Sequence, residues 1–201
     1  MRSEPAPIAS PTTTSRLGQF SDLLLRWNRT LNLIAAKDAA AIRDRHIADS
    51  LQLAPLVPPT TERAIDLGTG GGFPGLVLAI GTGIHFDLIE SDRRKAAFLR
   101  TAILETAANA TVHNCRIEDA PVSPASLVTA RALAPLPRLL PLAARLLTPD
   151  GICLFLKGAK VEDELAEAEP DWTMTVERIP SQTSAEGMVL RLSGIRKKRS
   201  A

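Results

Sequence analysis

The sequence predicts an α/β fold: a mostly parallel, seven-stranded sheet with helices on both faces and a helical extension at the N-terminus. Three observations lead there. From residue 61 onward, strand-like and helix-like stretches alternate, the pattern of parallel strands joined by crossover helices. The first of these strands runs into a glycine-rich turn, IDLGTGGGFPG at 65–75. Two segments with helical periodicity come before it. A length of 201 residues suits one domain with a sizeable core. The predicted division is a flexible leader at 1–15, a single domain at 16–195 and a basic tail at 196–201. Within the domain, 16–60 form the N-terminal helices and 61–195 a Rossmann-like core.

The leader MRSEPAPIASPTTTS is rich in Pro, Ser and Thr, which favours flexibility. Leu17, Phe20, Leu24, Trp27 and Leu31 then recur at helical spacing, with Trp27 read as core. A second helix is expected from an Asp38 cap, carrying Ile42, His46 and Leu53, and Asn28 and Asn32 could cap or cross-link the pair. His46 reads as a buried hydrogen-bonding histidine rather than a catalyst. The strands are RAIDLG, IHFDLIE, TVHNCR, SLVTAR, GICLFLKG, TMTVERI and MVLRLSG. Between them fall the helical stretches FPGLVLAIG and SDRRKAAFLRTAILETA, a Pro-punctuated helix at roughly 135–147 and an acidic one at roughly 160–169.

Composition narrows the class. With 45% apolar and 23% charged residues, the chain reads as an ordinary globular protein. Cys115 and Cys153 sit in apolar, strand-like segments without CxxC spacing, so buried free thiols in a reducing cytoplasm are expected. The N-terminus has no apolar signal core, and no run reaches the ~18 apolar residues of a membrane span, which argues against export or membrane insertion. A net charge of +2 does not by itself imply nucleic acid, and the cations Arg196 to Arg199 read as a solvated tail.

In such sheets ligands bind beyond the carboxyl ends of the strands, where strand order reverses. The glycine turn follows the first strand, and Pro74 suits the start of the next helix, whose N-terminus favours an anionic ligand group. Gly70, Gly72 and Gly75 satisfy GxGxxG, a weak dinucleotide signal. Counted from the strand end the spacing is instead Gly68-x-Gly70-x-x-Phe73, and Asp66 would repel a pyrophosphate. S-adenosylmethionine has no phosphate, and its methionine end carries an ammonium that Asp66 could meet. Glu90, 22 residues beyond Gly68 at the end of the second strand, could accept hydrogen bonds from both ribose hydroxyls.

WNRTLNLIAAKD, RHIADSL, IDLGTGGGFPG, FLR, CRIED, TARALAPL and FLKG, in this order and spacing, resemble the RsmG family, also called glucose-inhibited division protein B, over about residues 20–160. The resemblance implies a class I S-adenosylmethionine-dependent methyltransferase fold. It also implies methylation of N7 of a guanine in 16S ribosomal RNA, with S-adenosylhomocysteine as product and no metal. The partner implied is the small ribosomal subunit or its assembly intermediate, in the cytoplasm, with a monomeric enzyme and no membrane. For the cofactor it implies Gly68 and Phe73 at the methionine and sulfonium end, Glu90 at the ribose and Ile117 and Glu118 at the adenine. Arg131 takes a position shared between cofactor and target. The chain departs from the family near the last strand, where an acidic-Arg-His stretch is replaced by SAEGMVLRLSG, with Gly187 and Met188.

Guanine N7 holds an in-plane lone pair and no proton, so placement residues are wanted rather than a general base. Arg116 and Arg131, leaving the ends of their strands, are the positioning candidates. Lys157 in FLKG is read as either an RNA phosphate contact or plainly solvated. The helix VEDELAEAE carries five carboxylates with Lys160 alone nearby and is expected to face away from RNA, whereas Arg93, Arg94, Lys95 and Arg100 either face it or are merely solvated. Two other readings stay open: a methyltransferase acting on a small molecule or protein, and a non-catalytic nucleotide-binding module.

Overall fold

A computed structural model describes residues 10–35 and 42–198. The first helix, α1 (Pro11–Asn28), starts five residues before the predicted boundary at 16. The reason is local: the Ser10 hydroxyl accepts a hydrogen bond from the Thr13 amide at 3.1 Å, and Pro11 occupies the first position, where a missing N–H costs nothing. Only residues 1–9 of the expected leader lie outside the described residues. The apolar stripe of α1 buries Leu17, Phe20, Leu23 and Leu24. Phe20 meets Phe73 edge-on at 5.6 Å between ring centroids and Phe98 at 6.3 Å, while Trp27 packs on Phe98 at 5.8 Å. Arg16 adds a tether to the far end of helix α4 (Arg93–Thr106), donating to the carbonyls of Thr106 and Ala107.

The Asp38 cap lies outside the described residues. The segment expected as a second helix is not continuous: a π-helical turn at Ile42–Ile47 runs into the single α-turn α2 (Ala48–Leu51), and Pro55 and Pro58 prevent its continuation. Leu53 still anchors the segment, fully buried. Asn28 accepts from the Ile34 amide at 3.0 Å, so it fixes the chain leaving α1 rather than linking two helices.

The seven strands are β1 (Arg63–Leu67), β2 (His85–Ile89), β3 (Ala110–His113), β4 (Ala125–Arg131), β5 (Leu147–Lys157), β6 (Trp172–Pro180) and β7 (Met188–Lys197). They form one sheet in the order β3-β2-β1-β4-β5-β7-β6, parallel except that β7 runs against both β5 and β6. Order therefore reverses at β1. Helices α1, α3 (Gly75–Thr82) and α4 cover one face; α5 (Leu136–Leu146) and α6 (Val161–Ala168) cover the other.

The first two residues of the expected basic tail are strand, and residues 199–201 lie outside the described residues. Arg196 and Lys197 pair with Thr173 and Trp172 across to β6, and the Lys198 amide donates to the Asp171 carbonyl at 2.8 Å. The β7 ladder continues through them because β6 supplies partners along its whole length. Cys153 is buried in β5 as expected, and burial raises its thiol pKa. Cys115 lies past the end of β3 and is half-buried, not in a strand; both cysteines are free thiols. The carboxylates of α6 have more partners than Lys160: Glu162 takes a bidentate contact from Arg178 at 2.8 and 3.0 Å, and Glu164 pairs with Lys157 at 2.7 Å.

Phe20 belongs to α1 yet touches a ring from the glycine turn, so its packing joins the N-terminal extension to the sheet. Phe20→Ala should lower the free energy of unfolding in urea by ~3–5 kcal/mol through the lost transfer energy and the cavity left behind. An unchanged midpoint would mean that α1 is not part of the cooperative core.

Candidate active site

The glycine turn leaves the carboxyl end of β1, and two glycines explain its course. Gly70 has φ +57°, a backbone region costly for L side chains. At Gly75 the constraint is close approach: a Cβ there would stand 2.5 Å from the Asp66 Cβ and 2.7 Å from its Oδ2. That contact lets α3 begin directly above Asp66.

Asp66 does not face a ligand. It is fully buried, with Oδ2 accepting from the Gly75 amide at 3.0 Å and Oδ1 from the Thr129 hydroxyl at 2.7 Å. Burial pushes its pKa up to about 6 although these hydrogen bonds favour the charged form. Two expectations are thereby corrected. The carboxylate is turned inward and cannot meet a ligand ammonium directly. Nor does the start of α3 offer an anion site, because the Gly75 amide is held by Asp66 and the Leu76 and Val77 amides donate to the Gly72 carbonyl.

Glu90 lies just past the end of β2 and braces the turn from outside. Its Oε2 accepts from the Gly70 amide at 2.9 Å and its Oε1 from the Asp92 amide at 2.8 Å. A carboxylate oxygen has two lone pairs, so each keeps capacity for a ligand hydroxyl. Ile117 and Glu118 lie on a short 3-10 turn (Ile117–Asp119) after β3, with Ile117 buried, its carbonyl held by Arg145, and Glu118 exposed. The Asn114 side chain donates to the Glu90 carbonyl at 2.8 Å and fixes this turn beside the end of β2. Gly68, Gly70, Glu90 and the 117–118 turn thus line up across the ends of β1, β2 and β3, a row able to hold an extended nucleoside.

On the other side of the glycines stands Arg131, the last residue of β4. Its guanidinium carbon lies 4.6 Å over the Phe73 ring, and Nη1 donates to His46 Nδ1 at 2.9 Å and to Asp49 Oδ2 at 3.2 Å. Since guanidinium can only donate, His46 accepts at Nδ1, and its ring also packs on Phe73 at 5.2 Å. His46 is therefore a hydrogen-bonding histidine, as the sequence suggests, but half-buried rather than buried. Arg116 does not join this group. It is exposed at the end of β3, three strand steps of ~4.8 Å from β4, so the two expected positioning arginines do not converge.

Lys157 is neither solvated nor aimed at a phosphate. Its side chain is 9% exposed, and Nζ donates to Glu164 Oε2 at 2.7 Å and to the Ala134 carbonyl at 2.8 Å. Glu164 Oε2 also accepts from the Leu136 amide at 2.8 Å. The pair clamps the segment after β4, whose Leu133 lies against Gly68. Sequence reasoning missed this clamp, and it missed Asp49, Gln52 and Thr183. Thr183 donates to Asp49 at 2.9 Å, and Gln52 accepts from the Gln182 amide at 2.9 Å, so α2 is fastened to the loop before β7. One signal was available: His46 and Asp49 are three apart in RHIADSL and so share a helix face. These elements enclose a cleft of about 580 Å³ with Asp49, Arg131, Lys157, Glu164, Ser184 and Glu186 among its lining residues. Among the described residues, no group of three or more His, Cys, Asp or Glu could hold a metal ion, and no helix is long and apolar enough to cross a membrane.

The sequence matches the family described as rRNA small subunit methyltransferase G over residues 13–189. A ribosomal RNA small subunit methyltransferase G from Acidiphilium cryptum is 57% identical over 184 residues, covering 90% of this chain and 85% of that one. Its counterpart from Granulibacter bethesdensis is 52% identical over 186 residues, covering 92% and 87%. Among solved structures, an O-methyltransferase from Bacillus cereus in complex with SAH superposes with a TM-score of 0.56 at 14% identity, over 92% of this chain and 91% of that one. That likeness is one of fold, the Rossmann-like sheet of class I methyltransferases.

The inward carboxylate generates a pH dependence with a definite sign. The folded protein holds the Asp66 proton more tightly than an unfolded chain does. Its contribution to stability is therefore full below about pH 3.8 and lost as pH rises through about 6, a change on the order of 3 kcal/mol. Asp66→Asn can still accept from Gly75 but has no charge to bury, so the wild-type-minus-variant difference in unfolding free energy should fall across that window. A difference that stays constant between about pH 4 and pH 7.5 would show that Asp66 does not titrate while buried.

Proposed function

The chain belongs to the rRNA small subunit methyltransferase G family, and on that premise we propose that it moves a methyl group from S-adenosylmethionine to N7 of a guanine in 16S ribosomal RNA, releasing S-adenosylhomocysteine. The observation that carries this reading is the adjacency of two half-sites at the ends of neighbouring strands. A nucleoside-sized row runs over β1, β2 and β3, and a charged, open cleft beyond β4 meets it at Arg131 and Phe73.

When bound, S-adenosylmethionine supplies an electrophilic methyl on a sulfonium centre. Glu90 accepts hydrogen bonds from the ribose hydroxyls with the lone pairs its two backbone contacts leave over. Gly68 and Gly70 allow the backbone to approach the methionine end, Phe73 borders the sulfonium side, and Ile117 with Glu118 flanks the adenine. Asp66 acts from beneath, through Gly75 and the shape of the turn.

Because N7 has a lone pair and no proton, the chain needs to place a base and exclude competing orientations rather than remove a proton. His46 is accordingly a support for Arg131. Arg131, held by His46, Asp49 and the Phe73 face, sits at the boundary between the half-sites, where a flat cation can hold guanine O6 or an adjoining phosphate. The cleft mixes charged side chains with aliphatic ones such as Leu133, Leu156 and Met188, and its lining includes no aromatic ring, which does not favour an acceptor held in an aromatic pocket. The partner in this reading is the small ribosomal subunit or its assembly intermediate in the cytoplasm. The enzyme in this reading acts as a monomer.

The test is to incubate the protein with methyl-labelled S-adenosylmethionine and small subunits that lack the modification, then map the label. Label on a guanine N7 of 16S ribosomal RNA is expected; label on protein, or none, defeats the reading. With the same substrate, Arg131→Ala should slow single-turnover transfer by roughly tenfold or more, because a misplaced base loses its in-line approach. Arg131→Lys should recover little, since an ammonium lacks the planar fork. A normal single-turnover rate in Arg131→Ala would remove the positioning role.

A further inference from the structure

The cleft beyond Arg131 has a direction. β4 ends at Arg131, which is in register with Leu156 of β5; Lys157 of β5 is in register with Met188, where β7 begins. The ends of β1, β4, β5 and β7 therefore form a row. From β4 to β7 the row spans two strand steps, about 10 Å. Glu186 stands two residues before Met188, in the loop that forms the wall farthest from the glycine turn.

That loop is fastened in place. The Gln182 amide donates to Gln52, Thr183 donates to Asp49, and Gln52 also reaches the Ser181 hydroxyl at 3.3 Å. Within the loop, the Ser181 amide donates to the Gly187 carbonyl and the Gly187 amide to the Ser184 carbonyl. Of the carboxylates lining the cleft, Asp49 is occupied by Arg131, Gln52 and Thr183, and Glu164 by Lys157 and Leu136. Glu186 is exposed at the cleft and makes no hydrogen bond or ion pair among the described residues.

We infer that Glu186 accepts the N1–H and N2–H hydrogen bonds of the target guanine and so selects guanine over adenine. The inference rests on the reading that guanine N7 is the acceptor. With the N7/O6 edge turned down onto the cofactor half-site and Arg131, the N1–H and N2–H bonds, roughly at right angles to the N7 lone pair, run along the row toward β7. Glu186 lines the cleft at that end. Two parallel N–H donors match the two oxygens of a carboxylate, the geometry of a bidentate pair. Adenine presents a bare N1 lone pair at the same place, and a carboxylate facing it is repelled. Reading this edge requires the nucleotide to be unpaired or turned out of its helix when it enters the cleft.

The experiment compares acceptor bases. Wild-type protein first locates the methylated guanine on unmodified small subunits; subunits are then reconstituted with inosine at that nucleotide, which removes only the N2 amine. Wild type should be slowed roughly tenfold to a hundredfold by inosine in single turnover, the range of one lost hydrogen bond to a charged acceptor. Glu186→Ala, which loses both hydrogen bonds, should be slowed on guanine by at least that factor and should treat guanine and inosine alike. Glu186→Gln, with the same size but an amide opposing one donor, should recover little. Cofactor affinity measured by calorimetry on the same preparations should be unchanged in both variants. A wild-type rate for Glu186→Ala on guanine overturns the assignment, as does a slowed variant that keeps the wild-type preference for guanine over inosine. If wild type labels no guanine N7 at all, the proposed reaction falls and takes this assignment with it.

Discussion

Asp66 is an acid shut away from water, and its carboxylate occupies the place where helix α3 would otherwise leave its first amide unmet. A charge in that position is expensive to desolvate, and the positive end of a helix, an amide donor and the Thr129 hydroxyl offset that cost only in part, so burial still pushes the carboxyl pKa up to about 6. Strand β1, strand β4 and helix α3 are thereby fixed to one another through a single side chain. The condition is that α3 come close enough, and only a residue without a Cβ allows that at Gly75. Once both ends of the turn are held this way, residues 68–74 have to pass outward over the strand ends. The site is shaped by an interaction that takes no part in contacting a ligand.

Outward of the strand ends, the site divides at Phe73. One edge of its ring receives Phe20 from α1, and Arg131 and His46 both pack against it. On the β2 side, Glu90 latches the turn through Gly70. On the β4 side, Arg131 is oriented by residues from the helical extension. The extension is accordingly a structural part of the acceptor half-site. Without Asp49 and His46, the guanidinium would lose the hydrogen bonds that fix its orientation over the Phe73 ring.

The legibility of these features in the sequence tracks the range of the interactions behind them. Strand and helix alternation, the turn after β1 and the acid at the end of β2 are written in consecutive residues, and the structure has them where the pattern indicates. Asp66 was visible as an acid but not as an inward one, because its orientation depends on Thr129, 63 residues away. Lys157 looked exposed in FLKG because its partners, Glu164 and the Ala134 carbonyl, belong to separate elements. Arg116 and Arg131 looked alike at the ends of their strands, and only the strand order separates them. At the termini the misreadings were local in cause: Ser10 and Pro11 make a helix start out of a stretch whose composition suggests disorder, and β6 pairs with cations that look like a tail.

The same distinction of range divides the two half-sites. The residues proposed for the cofactor run from 68 to 118 and are joined by neighbouring strands and short turns. The acceptor cleft is assembled from the extension, the segment after β4, the end of β5 and the loop before β7. Its closing hydrogen bonds, Gln182 to Gln52 and Thr183 to Asp49, span 130 and 134 residues. Closing so long a loop is entropically unfavourable, and a hydrogen bond contributes only ~1–3 kcal/mol net, the upper end for a charged acceptor such as Asp49, so no single bond of this fastening can hold the wall. It holds because the sheet has already brought the end of β5 and the start of β7 into register beside Arg131, and the polar contacts then select one arrangement of surfaces that are already adjacent. The wall facing the acceptor is in this way the part of the site least determined by local sequence, and a change in its loop alters what the cleft admits while leaving the carboxylate under α3, and hence the glycine turn, undisturbed.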